Sequence, residues 1–158
     1  MKALISGTFD PVTVGHVDLI RRAAALFDEV YAVVFDNTEK TTLFSSDERL
    51  AYLAAACRDI PNVKVDVSSG LLAAYTEAHG IGVIVRGIRD SSDAAYEISL
   101  AAINRGLHNA PETIFLPADP ALSHISSTFA RNLIRYGEPL DGVLPDPVLD
   151  LLKKEDGI

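Results

Sequence analysis

Short apolar runs alternate with helical segments along the chain, and this alternation constrains the fold more than any other feature of the sequence. The runs are nearly continuous in Val, Ile, Leu and other apolar residues, which is typical of strands covered on both faces of a parallel sheet. Such strands joined through helices form right-handed βαβ units. We therefore predict an α/β fold with a doubly wound sheet of five parallel strands and flanking helices. The strands are expected at Lys2–Ile5, Val30–Phe35, Val63–Val67, Val83–Val85 and Thr113–Leu116.

The helical segments have recognisable ends. Ser45 with Glu48 three residues later forms a capping box, and Gly80 and Gly106 follow helical stretches as stops. Asp146 is a suitable N-cap because Pro147 follows at the first helical position. Helices are expected at Val14–Phe27, from Ser45 onward, at Leu71–His79, at Ser92–Arg105, from Ser126 or Ser127 to Tyr136, and at Pro147–Lys154.

Charge and the lack of export or anchoring signals exclude several classes of protein. The chain has 22 acidic against 14 basic residues, a net charge of −8, so neither nucleic acid nor an anionic membrane is expected as a partner. No apolar run approaches the roughly 18 residues of a membrane span, and the apolar start is too short for a signal peptide. With one cysteine, no repeat and no linker, we expect a single cytoplasmic domain over residues 1–158.

The loop after the first strand holds the densest group of candidate functional residues, Gly-Thr-Phe-Asp-Pro-Val-Thr-Val-Gly-His at positions 7–16. In a doubly wound sheet, ligands bind outside the carboxyl ends of the strands. Gly7 allows a ligand to approach the backbone, and Gly15 and His16 fall in the first helical turn, where unpaired N–H groups favour phosphate. A histidine there can donate to a phosphoryl oxygen as charge develops. The alternative is an ordinary turn with a surface histidine.

Two further segments carry side chains that can bind anions. Arg86-Gly87-Ile88-Arg89-Asp90 follows the fourth strand and places two guanidinium groups around a glycine, as a clamp for phosphate. Ile125-Ser126-Ser127-Thr128 presents three hydroxyls at a helix start, suited to a β- or γ-phosphate, and one of them is also expected to cap the helix. Solvated surface charge is the alternative for the arginines.

Other catalytic signatures do not occur in the sequence. It contains no Cys/His zinc pattern, no Gly-x-Ser-x-Gly elbow and no Walker-type loop, which disfavours metal-bound, hydrolase and P-loop sites. We expect no metal held by protein ligands. Cys57 lies on an apolar helix face and is expected in the core.

The motifs resemble those of a known enzyme family. Residues 7–11 with Gly15-His16 are similar to the signature of the nucleotidyltransferase superfamily related to class I aminoacyl-tRNA synthetases. Many members have His-x-Gly-His, and Thr13 in place of the first histidine is typical of phosphopantetheine adenylyltransferases. The segments 86–97 and 125–128 resemble blocks of the same family in the same order. The resemblance covers the chain from Lys2 to about Tyr136.

This resemblance implies a Rossmann-like nucleotidyltransferase that moves the adenylyl group of ATP onto 4'-phosphopantetheine, a step of coenzyme A synthesis. The acceptor phosphate would attack the α-phosphorus in line, without a covalent intermediate, giving dephospho-coenzyme A and pyrophosphate. Mg²⁺ would accompany ATP, carried by phosphates and water. A homo-oligomer, a hexamer in the family, is implied as well.

Matching positions assign roles to particular residues. His16, Lys40 and Arg86 would be catalytic, and Lys40 is aligned by its spacing ahead of the capping box; otherwise it is a solvated charge. The acceptor would contact Thr8, Lys40, Leu72 and Arg86, with Leu72 along the pantetheine arm. ATP would contact Thr8, Phe9, His16, Gly87, Ile88, Arg89, Glu97, Leu122, Ser123, His124, Ile125, Ser126, Ser127 and Thr128.

The chain departs from the family pattern at several positions, so acceptor specificity stays open. Ser6 replaces a proline, Ala94-Ala95 an aromatic–acid pair, and Leu122 and His124 aromatic residues. One alternative is a sister nucleotidyltransferase acting on nicotinamide mononucleotide or a phospho-sugar, which Thr13 and the 86–97 segment disfavour. Another is a non-catalytic nucleotide-binding module of the universal-stress type, whose late glycine-rich phosphate loop the sequence does not contain.

Overall fold

The computed structural model describes residues 1–36, 41–107 and 110–155, and these form five strands and six helices. Strand and helix alternate from β1 to α5, and α6 follows. In chain order the elements are β1 (Lys2–Gly7), α1 (Val14–Leu26), β2 (Glu29–Phe35), α2 (Ser46–Cys57), β3 (Val63–Ser68), α3 (Leu72–His79), β4 (Val83–Ile88), α4 (Ser91–Arg105), β5 (Glu112–Pro117), α5 (Ser127–Tyr136) and α6 (Asp146–Glu155).

The five strands are parallel and form one sheet in the order β3-β2-β1-β4-β5. The α/β, Rossmann-like fold predicted from the sequence is confirmed. The chain runs outward from β1 to β3 and then crosses back to place β4 against the other side of β1. The strand order therefore reverses between β1 and β4, and the crevice at their carboxyl ends is where such sheets bind ligands.

Four strands run further at their carboxyl ends than the apolar pattern predicts. Gly7 still pairs with Val34, and Ile88 with Pro117. The ladder continues because main-chain hydrogen bonds do not depend on apolar side chains, whereas the prediction relied on those side chains. The added residues bring Gly7 and Arg86 to the strand ends that border the crevice.

Two apolar clusters cover the two faces of the sheet. Ala3 and Ile5 of β1 belong to the larger cluster, with α1, α2, α5 and α6, whereas Leu4 belongs to the smaller one, with α3. Cys57 is buried in the larger cluster, as expected from the sequence. Burial raises the pKa of its thiol to about 11, so Cys57 is an unreactive core residue.

Helix ends follow the sequence signals except at α6. Ser45 and Glu48 form the capping box of α2, and Gly80 follows α3 with a positive φ of 63°. The expectation that Asp146 is the N-cap of the last helix is wrong. Asp146 is already helical, and the carbonyl of Pro145 accepts the first N–H groups instead.

Among the helices within the described ranges, none combines the length and the apolar character that crossing a membrane requires.

Candidate active site

A cavity of about 430 Å³ opens at the carboxyl ends of β1 and β4, where the strand order reverses. Its walls are the loop after β1, the first turns of α1, the end of β4 and the segment leading into α5. His16 and Arg89 both line it, so the first βα turn and the twin-arginine loop face one space. Of the residues predicted to bind substrates, the cavity gathers Thr8, Phe9, His16, Arg86, Gly87, Arg89, Glu97, Leu122, Ile125, Ser126, Ser127 and Thr128.

Leu72, predicted to line the pantetheine arm, lies in a second, smaller cavity of about 40 Å³. This cavity shares Ser6, Arg86 and Glu97 with the larger one, so those three residues form a common wall. The rest of its lining is mostly apolar and comes from β4, α4 and β5: Ile84, Leu100, Ala101, Asn104 and Thr113.

The other predicted residues lie elsewhere. Ile88, Ser123 and His124 do not line the main cavity. The hydroxyl of Ser123 donates to a carbonyl of its own turn, and the ring of His124 packs at 6.5 Å from that of Phe129. Lys40 lies outside the residues that the structure describes.

His16 is held in one tautomer by Thr13, the N-cap of its helix. The backbone N–H of Thr13 donates to Nδ1 of His16 at 3.0 Å, and the Thr13 hydroxyl is 3.0 Å from the same nitrogen. Because Nδ1 accepts, the proton of the neutral ring is on Nε2. Burial of the ring, followed by the charges of Arg89 and Arg86, lowers the pKa of His16 to about 4. At neutral pH the side chain is an uncharged hydrogen-bond donor.

Arg86 is bound by oxygen atoms of the protein itself. Its Nε and Nη2 donate to the two carboxylate oxygens of Glu97, each at 2.7 Å, and its Nη1 donates to the carbonyl of Ser6 at 2.7 Å. Glu97 is buried, so the pair forms a fixed, charge-balanced unit in the wall between the two cavities. The sequence predicts an arginine that holds acceptor phosphate and a glutamate that contacts nucleotide. In the structure these two side chains bind each other.

Two more arginines add positive charge to the cavity. The backbone N–H of Arg89 donates to Oδ2 of Asp93 at 3.1 Å, and its Nε is 3.5 Å from the same oxygen. Arg131 donates through Nη1 to the carbonyl of Asp10 at 2.7 Å and through Nη2 to Oγ1 of Thr128 at 3.1 Å. Among the described residues, four guanidinium groups line the crevice and offer donors to an anionic ligand, and five carboxylates line it as well.

The start of α5 borders the same cavity with hydroxyls and N–H groups. Ser126 is the N-cap and accepts from the N–H of Phe129 at 3.0 Å, so the capping alternative holds for this residue. The hydroxyl of Ser127 donates to the carbonyl of Pro11 at 2.8 Å, which ties α5 to the loop after β1. The positive end of the helix faces a space suited to phosphate.

Asp10 and Arg49 support the site, although the sequence motifs assigned a role to neither of them. Buried Asp10 accepts the N–H groups of Leu43 at 2.8 Å and of Phe44 at 2.9 Å. Buried Arg49 donates to the carbonyls of Thr8 and Phe44 at 3.0 and 3.1 Å. These contacts fasten the loops after β1 and β2 to each other.

A signal for Arg49 exists in the sequence. It occupies the first position of the buried stripe of α2, which continues at Tyr52, Leu53, Ala56 and Cys57. A buried charged residue on an apolar stripe needs hydrogen-bond partners, and the partly exposed carboxylate of Asp36 supplies one at 2.7 Å from Nη2 of Arg49. The Ser46 hydroxyl and Arg49 hold the pKa of Asp36 below its usual range.

The described residues contain no group of three or more His, Cys, Asp or Glu side chains that could hold a metal ion. Two acidic residues of the cavity wall, Asp93 and Glu97, are instead engaged with arginines. This donor set fits a cation that arrives on the phosphates of a nucleotide and keeps its water ligands.

Comparison with known proteins identifies the family. The model of the family described as cytidylyltransferase-like matches residues 4–133. A curated protein of Corynebacterium efficiens, named phosphopantetheine adenylyltransferase, is 43% identical over 156 residues, which cover 98% of this chain and 98% of that protein. The chain belongs to the phosphopantetheine adenylyltransferase family. The resemblance inferred from the sequence motifs is thereby confirmed.

The region of the chain that matches the family model includes the whole candidate active site. The region that fits the family model begins in β1 and ends in α5, and it contains every residue that lines the main cavity. The cavity, rather than α6, is therefore what the chain shares with the family at large.

Proposed function

We propose that this chain transfers the adenylyl group of ATP to 4'-phosphopantetheine and releases pyrophosphate. Family membership supports the reaction class, and the name of the C. efficiens relative supports the acceptor. The observation that carries the proposal is the uncharged His16 in the same cavity as Arg86 and Arg89. Such a site can stabilise charge on a phosphoryl group without acid–base chemistry of its own.

The reaction is an in-line displacement at the α-phosphorus of ATP. An oxygen of the acceptor phosphate forms the new P–O bond, and the bond to the β-phosphate bridging oxygen breaks, so pyrophosphate leaves with that electron pair. The acceptor oxygen is already anionic and requires no general base. Nε2–H of His16 donates to a non-bridging oxygen of the α-phosphate, where charge rises in the transition state.

The common wall of Ser6, Arg86 and Glu97 supports a position for the acceptor between the two cavities. We place its phosphate in the main cavity beside Arg86 and direct the pantetheine arm toward Leu72, where the small cavity of about 40 Å³ holds only part of the arm. Glu97 and the Ser6 carbonyl keep the guanidinium of Arg86 in one orientation. Lys40 remains a proposed partner of the acceptor phosphate, together with Thr8.

ATP occupies the main cavity between α1 and α5. The β- and γ-phosphates lie at the start of α5, where the hydroxyls of Ser126, Ser127 and Thr128 line the wall. Arg89, Gly87 and Phe9 contact the adenylate. Mg²⁺ bound to the triphosphate would offset its charge, and no protein ligand set among the described residues is needed to hold it.

The proposal includes a homo-oligomer in the cytoplasm, a hexamer by resemblance to the family. Exposed apolar side chains on α4 support an association of copies: Tyr96 and Ile103 are 64% and 65% exposed. Because Tyr96 and Ile103 are seven residues apart, they lie on the same side of α4 and can pack together against another copy. The molar mass in solution, measured by light scattering after size exclusion, tests this part separately.

The decisive experiment is incubation of the chain with ATP, Mg²⁺ and 4'-phosphopantetheine, with mass detection of dephospho-coenzyme A and assay of pyrophosphate. Parallel reactions replace the acceptor by nicotinamide mononucleotide, or ATP by CTP. Dephospho-coenzyme A as the preferred product supports the proposal. Faster release of pyrophosphate with another acceptor favours a sister nucleotidyltransferase, and nucleotide binding without any turnover favours a non-catalytic module.

A further inference from the structure

Arg22 connects the helix that carries His16 to the end of β5. Its Nη1 donates to the carbonyl of Pro117, the last residue of β5, at 2.7 Å. The same nitrogen is 3.4 Å from Oδ2 of Asp18, one turn earlier on α1. Arg22, Asp18 and Leu19 also line the main cavity. The side chain therefore belongs to the cavity wall, although it lies outside the segments 7–16, 86–97 and 125–128.

Directly after Pro117, the chain forms a turn that is another part of the cavity wall. Ala118 donates to the carbonyl of Ile88 at 2.8 Å, and Asp119 accepts the N–H of Leu122 at 2.9 Å. Ala118, Asp119 and Leu122 line the cavity. The segment 118–122 is thus a compact turn whose start is fixed by Arg22.

This turn runs beside α1, from Arg22 back toward the start of the helix, where His16 lies. A Cβ built on Gly15 would lie 3.9 Å from the carbonyl of Leu122, so the far end of the turn is next to the helix start. Arg22 is six residues beyond His16, about 9 Å along the helix axis. That span is comparable to the distance from a nucleoside 5'-phosphate to its base.

We propose that Arg22 is a positioning residue for the nucleobase of the bound nucleoside triphosphate. By holding the Pro117 carbonyl, it fixes the turn 118–122, whose backbone groups bound the base end of the cavity. A site with fixed polar groups discriminates strongly between bases because a mismatched base leaves those groups unpaired. The inference rests on the proposed function, since it takes the α-phosphate to lie at His16.

The neighbouring arginine provides a matched control. Arg21 pairs with Asp59 at 3.0 Å, both side chains are more than half exposed, and Arg21 does not line the main cavity. Arg21→Ala removes the same side chain and an ion pair from the same helix without touching the wall. Arg22→Lys keeps a positive charge and a hydrogen-bond donor at the same position of α1.

The test measures ATP–Mg²⁺ and CTP–Mg²⁺ binding by calorimetry, without acceptor, for the unaltered chain and the three variants, along with melting temperature. Arg22→Ala is expected to weaken ATP binding about tenfold, the scale of one charge-assisted hydrogen bond, and to narrow the preference for ATP over CTP. Arg21→Ala should bind both nucleotides like the unaltered chain, and Arg22→Lys should recover most of the affinity. In turnover assays, KM for ATP should rise while kcat and KM for the acceptor stay within about twofold.

Equal ATP affinity in Arg22→Ala and Arg21→Ala overturns the inference. It is also overturned if Arg22→Ala raises KM equally for both substrates and lowers the melting temperature. Failure of the unaltered chain to adenylate phosphopantetheine while still binding ATP removes the proposed acceptor only, because the binding measurements test Arg22 without it. Absence of ATP binding by the unaltered chain overturns both proposals.

Discussion

The backbone N–H of Thr13 donates to Nδ1 of His16 at 3.0 Å, so the cap of α1 also determines which imidazole nitrogen carries the proton. Many members of the superfamily have a histidine where this chain has Thr13. A threonine at the N-cap supplies both a backbone donor and a hydroxyl to the same ring nitrogen. The consequence is a fixed, neutral donor on Nε2, which suits stabilisation of charge on a phosphoryl oxygen.

Replacing His16 by alanine should lower kcat by at least about a hundredfold, because one preorganised donor to the transition state is lost. The dissociation constant for ATP should change little, since that donor acts mainly as charge develops. Single-turnover kinetics and calorimetry measure the two quantities. His79→Ala is a suitable comparison, because His79 is at the end of α3, outside the cavity. Turnover near that of the unaltered chain would rule out the assigned role.

The lowered pKa of His16 predicts a particular dependence of stability on pH. A base whose pKa falls from 6.5 to about 4 on folding binds its proton more readily in the unfolded chain. Its contribution therefore destabilises the fold progressively as pH falls from about 6.5 to about 4. Urea unfolding at pH 7 and pH 5 should show a larger loss for the unaltered chain than for His16→Gln. The same loss in both would contradict the low pKa.

Glu97→Gln tests whether the glutamate serves Arg86 or contacts the nucleotide. The variant keeps the shape of the side chain but removes the charge that holds the guanidinium at 2.7 Å through two oxygens. If Glu97 orients Arg86 for the acceptor phosphate, KM for phosphopantetheine should rise by about tenfold or more, with a smaller change in KM for ATP. A change confined to KM for ATP would instead support the nucleotide contact predicted from the sequence.

Arg49→Ala should lower the free energy of unfolding by about 3 kcal/mol, because it leaves the carbonyls of Thr8 and Phe44 and the carboxylate of Asp36 without this donor. Arg49→Lys should recover little of this, since an ammonium group cannot reach Thr8, Phe44 and Asp36 in the same geometry. Arg58→Ala, at the exposed end of α2, should be within about 0.5 kcal/mol of the unaltered chain. Urea denaturation measures all three. Equal stability of Arg49→Ala and Arg58→Ala would refute the structural role.

The fold was predictable because its signals are local. Apolar runs and helix stops depend on near neighbours in the chain, and they located every described strand and helix to within a few residues. The carboxyl ends of the strands were less predictable, since Gly7 and Arg86 lack apolar character but still belong to the sheet. Main-chain pairing across strands carries no signature in the strand's own sequence.

The site was predictable where a motif is contiguous and less so where contacts cross the fold. Residues 7–16 and 125–128 are short blocks, and their places in the cavity follow from the end of one strand and the start of one helix. The pairing of Arg86 with Glu97 joins a strand to a helix, and Arg22 meets Pro117 across 95 residues of chain. Nothing in the linear sequence indicates which charged side chain finds which partner, because that is decided by packing.

The wall formed by Ser6, Arg86 and Glu97 has a consequence for inhibitor design. It lies between spaces of about 430 and 40 Å³: arginines and hydroxyls contribute to the lining of the first, and four aliphatic side chains contribute to the lining of the second. A polar fragment in the first and a small apolar fragment in the second would each bind weakly. Tethered across the guanidinium of Arg86, they would bind as one molecule, because the second contact becomes intramolecular once the first has formed.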